Sequence, residues 1–195
     1  MLASITPLGE RGRQSTWGVT VGSFMLAAVG AGLLVGALLG LAGSLLVSGI
    51  ALRTRLAILA GAALLAFALD VSTRAVPGPR RQVDERWRTR YRGWVWGGGY
   101  GAQLGVGVST VVQSAATYLA LCAALLAGGA ARGALIVGVF GLVRGLQPLA
   151  TWDVRRPDAL VGFHVRLRQW RGRVHGVGCG LTAAIVVLAV AASVA

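Results

Sequence analysis

Residues 17–50 read WGVTVGSFMLAAVGAGLLVGALLGLAGSLLVSGI and contain no charged side chain. Residues 94–127, WVWGGGYGAQLGVGVSTVVQSAATYLALCAALLA, form a second uncharged stretch of the same length. A helix needs about 20 apolar residues to cross a bilayer, and a soluble core helix rarely offers so many in a row. The two stretches therefore predict an integral membrane protein of the all-α class, a polytopic transmembrane helix bundle.

Composition supports the same class and excludes others. Hydrophobic residues make up 55% of the chain, charged residues only 13%, and the mean hydropathy is +0.71. The formal net charge of +13 is carried by arginines between the apolar stretches, where positive charge sets topology and meets anionic lipid headgroups. We expect no nucleic-acid partner. We also expect no enzyme, no metal and no cofactor, because six acidic residues and two separated cysteines form no catalytic or metal-binding constellation.

The order of apolar and basic segments predicts five spans in one membrane domain, with two duplicated halves. The first repeat covers residues 10–73 and the second covers 85–150, each with a long span, a short turn and a shorter span. A final span occupies 174–195. A six-span alternative splits the first long stretch near Gly30-Ala31-Gly32. Such repeats are common in transporter folds.

Arginine distribution predicts the orientation. With five crossings, one side of the membrane carries the N-terminal tail and both long connectors, which together hold 15 of the 19 arginines. The positive-inside rule places that side in the cytoplasm. We therefore expect a multi-pass protein of the cytoplasmic membrane with a cytoplasmic N-terminus.

A 34-residue helix would be about 51 Å long, against a hydrocarbon core near 30 Å, so each long span must tilt, protrude or break. We expect long, glycine-rich, broken helices, and a break in residues 94–127 above all. Broken helices often form transporter binding sites. The polar residues that would line a substrate pathway there are Gln103, Ser109, Thr110, Gln113, Thr117 and Tyr118. Hydrogen bonding between helices is the alternative role for the same side chains.

Small residues recur at every fourth position in both long stretches, which is the spacing that lets helix backbones approach closely. The glycines predicted to pack helices in this way are Gly32, Gly36, Gly40, Gly97, Gly101 and Gly105. Gly145 and Pro148 are the predicted hinge of the fourth span.

Asp70 and Arg144 are the ionisable residues within the predicted spans. A lone arginine in the membrane costs about 2.5–3.5 kcal/mol on insertion scales, so it needs a partner, and Asp70 is the natural candidate. The pair is either a structural link or part of a gate or an anion or proton site.

Residues 157–173 carry apolar side chains at helical spacing, flanked by arginines. This pattern predicts an amphipathic connector helix on the cytoplasmic surface. The expected partners are therefore the lipid bilayer with its anionic headgroups, and either a second copy of the chain or another membrane protein, whose helices the small-residue rows would contact.

The segment from Gly99 to Thr110, with Leu104-Gly105, and the later Gly145-Leu146-Gln147-Pro148 resemble the second half of the cytochrome c biogenesis (CcdA/DsbD-type) transmembrane family. That family belongs to a wider group with LysE-like and sulfite-exporter-like carriers. The resemblance implies duplicated halves, a discontinuous helix in each, and a central site. In the redox members Pro-Cys follows the threonine, whereas Val111 and Val112 follow Thr110 here, so the redox cysteines are missing.

Three functional hypotheses follow. The first is a small carrier or exporter of a small solute, with Arg144 favouring an anionic or zwitterionic one. The second is a membrane assembly or scaffold subunit without catalytic activity that packs on another membrane protein. The third is a degenerate thiol-redox conduit.

Overall fold

The structure is a computed structural model that describes residues 5–72, 76–79, 86–109 and 112–194. Throughout these ranges the regular secondary structure is helical, which confirms the all-α prediction. The helices are α1 (Pro7–Gly12), α2 (Trp17–Leu46), α3 (Leu52–Val71), α4 (Trp87–Arg90), α5 (Gly93–Val106), α6 (Ala116–Leu126), α7 (Ala130–Gly145) and α8 (Pro157–Val194), with a 3-10 helix at Gln147–Thr151 after α7.

Four of the helical segments are long and apolar enough to cross a membrane: α2, α3, α7 continued through the 3-10 helix, and α8. Their exposed surface is rich in leucine and valine, because a helix surrounded by lipid buries its apolar side chains in the bilayer rather than in the protein. The prediction of an all-α protein with several helices of membrane-spanning length and composition is confirmed.

The central helix is α2. Its contacts with α7 and with α5 are more extensive than those between any other pair of described helices. Along α2, Gly32 faces Val137 and Gly36 faces Gly133, so α2 and α7 run in opposite directions. On its other side Gly97 of α5 meets Thr20, and Gly105 meets Ala28, so α5 runs parallel to α2. Both contacts depend on residues without a side chain, because the backbones approach too closely for a methyl group.

The second uncharged stretch is two helices. Helix α5 ends at Val106, Gly107 has a positive φ of 85°, and α6 begins at Ala116. A positive φ costs glycine little and other residues more, which explains glycine at the end of α5. Helix α6 continues in the direction of α5 along α2, since Leu125 lies against Gly43 near the end of α2.

The turn after α2 is held by one arginine. The Arg55 guanidinium donates hydrogen bonds to the carbonyl oxygens of Val47 and of Ile50, the latter at 2.8 Å. These carbonyls follow the end of α2, where a helix leaves acceptors without a partner. Arg55 thus satisfies the backbone at the turn before α3.

Helices α3 and α8 form an outer layer. Ala63 and Ala66 of α3 pack on Ala115, just before α6, and on Leu119 within α6. Helix α8 packs on α3. Most side chains of α8 are exposed.

The structure differs from several expectations of the sequence in detail. Helix α2 runs through residues 30–32 without a break, so the split required by six spans does not occur there. The two halves also differ, because residues 94–127 are broken while α2 is continuous. The expected connector 157–173 and final span 174–195 are one helix, α8. No proline follows Pro157 within α8, so nothing forces the helix to end between the two segments, and glycines alone do not stop a helix in a membrane.

Candidate functional site

A buried carboxylate lies at the end of the bundle where α2 begins. Glu10 is completely buried, and it accepts a hydrogen bond from the Thr20 hydroxyl at 2.8 Å. Its other oxygen forms an ion pair with the Arg13 guanidinium. A buried carboxylate is costly unless it is paired and hydrogen-bonded, and here both conditions are met.

Helix α5 begins directly over this carboxylate. A Cβ atom on Gly93 would lie 2.1 Å from the Ser15 hydroxyl, 2.5 Å from that of Thr20 and 3.2 Å from a Glu10 oxygen. A larger residue at this position would force these three side chains to shift. The negative charge of Glu10 lies close to the first turn of α5, the positive end of the helix dipole, which stabilises it.

Arg13 is fixed from two directions. Its guanidinium pairs with Glu10 and also lies 5.2 Å from the centre of the Trp96 ring, a cation–π distance. Trp96 is itself buried and makes an edge-to-face contact with Tyr100. The cluster of Glu10, Arg13 and Thr20 thus joins α1, α2 and α5.

The N-terminal segment is attached to the end of α7 as well. The buried Thr151 hydroxyl donates to the Ile5 carbonyl, and the Leu8 amide donates to the Val154 carbonyl at 3.1 Å. The Trp17 indole approaches the same Ile5 oxygen at 3.4 Å. The beginning of the chain therefore closes one end of the bundle.

Two open clefts flank this end. The larger, about 600 Å³, is lined by residues 13–16, Val19, residues 91–94 and Trp96. The smaller, about 420 Å³, shares Ser15 and Thr16 with it and is also lined by Arg11, Trp152 and Arg155. Among the described residues, each lining contains two arginines and no acidic side chain. These clefts suit anions rather than cations.

A second polar cluster lies at the break between α5 and α6. Asp70, near the end of α3, accepts hydrogen bonds from the Ser114 hydroxyl and the Ala115 amide, both at 2.8 Å. The Ser114 hydroxyl oxygen in turn accepts from the Ala116 amide at 3.1 Å. Asp70 therefore caps the beginning of α6 from another helix, which satisfies amides that an apolar segment cannot satisfy itself.

Arg144 does not pair with Asp70, so the predicted pair is wrong. The Arg144 guanidinium donates to the Leu104 carbonyl at 3.2 Å and lies 5.0 Å from the centre of the Phe140 ring. A backbone acceptor and an aromatic face take the place of the expected carboxylate, because Asp70 is already used by α6.

The predicted pathway residues do not share one environment. Thr117 is buried, Gln113 and Tyr118 are exposed, and Gln103 and Ser109 are half-buried. The Ser109 hydroxyl donates to the Gln103 carbonyl, and the Tyr118 hydroxyl donates to the Pro77 carbonyl at 2.5 Å. Thr110 lies outside the described residues. None of these side chains lines either cleft.

The structure places the predicted packing glycines at two backbone contacts of α2. Cβ atoms on Gly32, Gly36 and Gly40 would lie 2.2–2.5 Å from carbonyl oxygens of α7 and the turn before it. Cβ atoms on Gly97, Gly101 and Gly105 would lie 2.1–2.6 Å from carbonyl oxygens of α2. Of the hinge residues, Gly145 ends α7 and Pro148 is buried in the 3-10 helix.

Sequence reasoning missed the cluster around Glu10. The available signal was Glu10, an acidic residue three positions before Arg13. It precedes an uncharged span that begins at Trp17 and carries Thr20 in its first turn. That spacing brings Glu10 and Arg13 together on one helical turn. Burial by α5 is a long-range contact that the spacing does not indicate.

Comparison with known proteins finds relatives with one name. The chain is 36% identical over 152 residues to the methylamine utilization protein MauF of Paracoccus versutus, which covers 77% of this chain and 52% of that protein. It is 38% identical over 125 residues to MauF of Methylorubrum extorquens, covering 63% of this chain and 43% of the relative. The chain thus spans about half the length of the curated relatives it matches. No family model matches the chain. No solved structure matches it.

These relatives correct two expectations. The resemblance to the CcdA/DsbD-type family is wrong, because the similar proteins are named MauF and belong to methylamine utilization. The carrier or exporter hypothesis is wrong for the same reason, and the thiol-redox hypothesis is not supported. Broken, glycine-rich membrane helices recur wherever membrane helices pack closely, so the motifs behind the resemblance were not specific.

Proposed function

We propose that this chain is a membrane-embedded accessory protein of methylamine utilization that has no catalytic activity of its own. The observation that carries the proposal is the similarity to MauF proteins, which extends over 77% of the chain. Similarity of that extent includes most of the helical bundle, so the bundle is the part through which this chain would act.

The use of the buried polar groups supports an accessory rather than an enzymatic role. The Glu10 carboxylate is occupied by Arg13 and Thr20, and the Asp70 carboxylate is occupied by the first turn of α6. Both groups hold helices together. Within the described residues, no three histidine, cysteine or acidic side chains come together as a metal site.

The packing also supports a rigid framework. Helix α2 contacts α5 and α7 backbone to backbone, which leaves no space between these helices. Such contacts hold a membrane bundle in one arrangement, because small residues allow dense van der Waals packing where no hydrophobic effect acts between helices.

The proposal includes the topology. Helices α5 and α6 together follow α2 from the level of Thr20 to the level of Gly43, which favours counting them as one broken crossing. Five crossings result, and the arginine-rich end with α1 then lies in the cytoplasm. The bundle would contact anionic lipid at that end, and the exposed sides of α8 would meet lipid, a second copy or another membrane protein.

Deletion of the gene in its native host tests the proposal. The deletion strain should lose growth with methylamine as the nitrogen source and should grow normally with ammonium, and a plasmid copy should restore growth. Membrane fractions of the complemented strain should contain the tagged protein. Normal growth of the deletion strain on methylamine, or a host that cannot use methylamine at all, would contradict the proposed pathway.

A further inference from the structure

The larger cleft opens at the beginning of α2, beside the cluster of Glu10, Arg13 and Thr20. It lies between the segment after α1 and the start of α5, and its volume is about 600 Å³. The lining includes polar donors, among them the Ser15 and Thr16 hydroxyls, and the apolar surface of Val19 and Trp94. Val19 is 54% exposed and Trp94 is 56% exposed, so the apolar side is open to an amphipathic ligand.

The charge of the cleft selects an anion. Arg13 is held in place by Glu10 and Trp96, and Arg92 precedes the first residue of α5 with an exposed side chain. Among the described residues that line the cleft none is acidic, and Glu10, which pairs with Arg13, is completely buried. Guanidinium groups donate paired hydrogen bonds that match phosphate oxygens, and the start of a 14-residue helix adds a positive field.

We propose that this cleft binds a phosphate ester, supplied by the headgroup of an anionic phospholipid. Arg92 and the hydroxyl of Thr16 contact the phosphate, and the acyl chains follow the exposed apolar surface that begins at Val19. Tyr91 and Trp94 lie at the mouth, which suits aromatic side chains at headgroup depth. The proposal rests on the membrane location argued above and does not depend on methylamine.

Binding of short-chain lipids to the purified full chain in a neutral detergent tests the site. Tryptophan fluorescence is the readout, because two tryptophans line the cleft. Dihexanoyl phosphatidylglycerol should bind saturably, and dihexanoyl phosphatidylcholine should bind more weakly because its choline cation opposes the arginines. Inorganic phosphate is the third probe. If it binds saturably and as tightly as phosphatidylglycerol, the cleft binds phosphate, and the proposal that a lipid headgroup supplies it is overturned.

Arg92→Gln should weaken phosphatidylglycerol binding about tenfold, the effect of losing one charged hydrogen bond. The matched control is Arg90→Gln, which removes the same charge from an exposed arginine outside the cleft and should change binding less than twofold. Thr16→Val is a second test variant, and the Thr16 side chain makes no capping bond to α2. Unchanged melting temperatures of the variants establish that they fold.

Two results would overturn the site. One is the absence of saturable binding of phosphatidylglycerol to the folded protein. The other is an equal loss for Arg92→Gln and Arg90→Gln, which would show unspecific attraction to a basic surface. Either result leaves the growth test of the proposed function unaffected, so the two proposals fail separately.

Discussion

Replacing Gly36 by alanine adds one methyl group at the tightest part of the contact between α2 and α7. The new Cβ atom would lie 2.2 Å from the Gly133 carbonyl oxygen and 2.7 Å from its carbon, whereas ordinary contact begins near 3.4 Å. Both atoms belong to backbone, so no side chain can move aside and the two helices must separate. Overpacking of this kind costs about 1–3 kcal/mol.

Gly30 provides the matched control on the same helix. It is exposed, and a Cβ atom there would meet nothing within 4 Å. Gly30→Ala should therefore stabilise the protein by about 0.5–1 kcal/mol through helix propensity alone. The same gain offsets part of the cost at Gly36, so Gly36→Ala should destabilise by about 1–2 kcal/mol.

The free energy of unfolding measured by denaturant titration in mixed micelles gives both values. The reasoning requires the two variants to differ by about 2 kcal/mol, with opposite signs relative to the wild type. Equal stability of Gly36→Ala and Gly30→Ala would refute the close contact between α2 and α7.

Two further substitutions test the polar clusters. Glu10→Gln should lower the unfolding free energy by about 2 kcal/mol, because it removes a buried partner of Arg13, and an unchanged melting temperature would contradict the buried ion pair. Asp70→Asn and Arg144→Gln should each destabilise the protein, and the double variant should show the sum of both effects within about 0.5 kcal/mol, since the two residues do not touch. A double variant as stable as the wild type would indicate an ion pair between Asp70 and Arg144 and would contradict their separate contacts.

Membrane helices were predictable from the sequence because their signal is local. An uncharged stretch long enough to cross lipid identifies a span wherever it lies, and the positions of α2, α3 and α7 follow closely. A spacing of four indicates one face of a helix. It does not say that α7 covers the face of Gly36 while α5 covers the face of Thr20, since partner choice depends on distant segments.

The errors came from long-range competition for partners. Arg144 and Asp70 were predicted to form an ion pair because they were the charged residues within the predicted spans. The backbone, however, also offers hydrogen-bond acceptors and donors to these side chains. Leu104 supplies a carbonyl to Arg144 just before α5 ends, and the start of α6 supplies an amide to Asp70. A break in a helix creates such groups, and the sequence does not show which side chain will reach them.

The residues predicted to line a substrate pathway do not form a common cavity, for a related reason. Polar residues at the break, such as Ser109, satisfy the local backbone instead of lining a common cavity. The clefts lie at the end of the bundle, where the segment after α1 meets the start of α5 in the larger cleft and Trp152 and Arg155 in the smaller. The walls of the larger cleft come from parts of the sequence about 80 residues apart, and those of the smaller from parts about 140 residues apart, so the spacing within any one part carries no signal for them.

Growth on methylamine of the deletion strain carrying the matched glycine variants tests the central claim most directly. Wild type and Gly30→Leu should restore growth, since position 30 is exposed and a Cβ atom there meets no protein atom within 4 Å. Gly36→Leu should not restore it, because the bundle cannot close around a larger side chain. Rescue by Gly36→Leu as complete as that by Gly30→Leu would contradict the claim that this packed membrane bundle serves methylamine utilization.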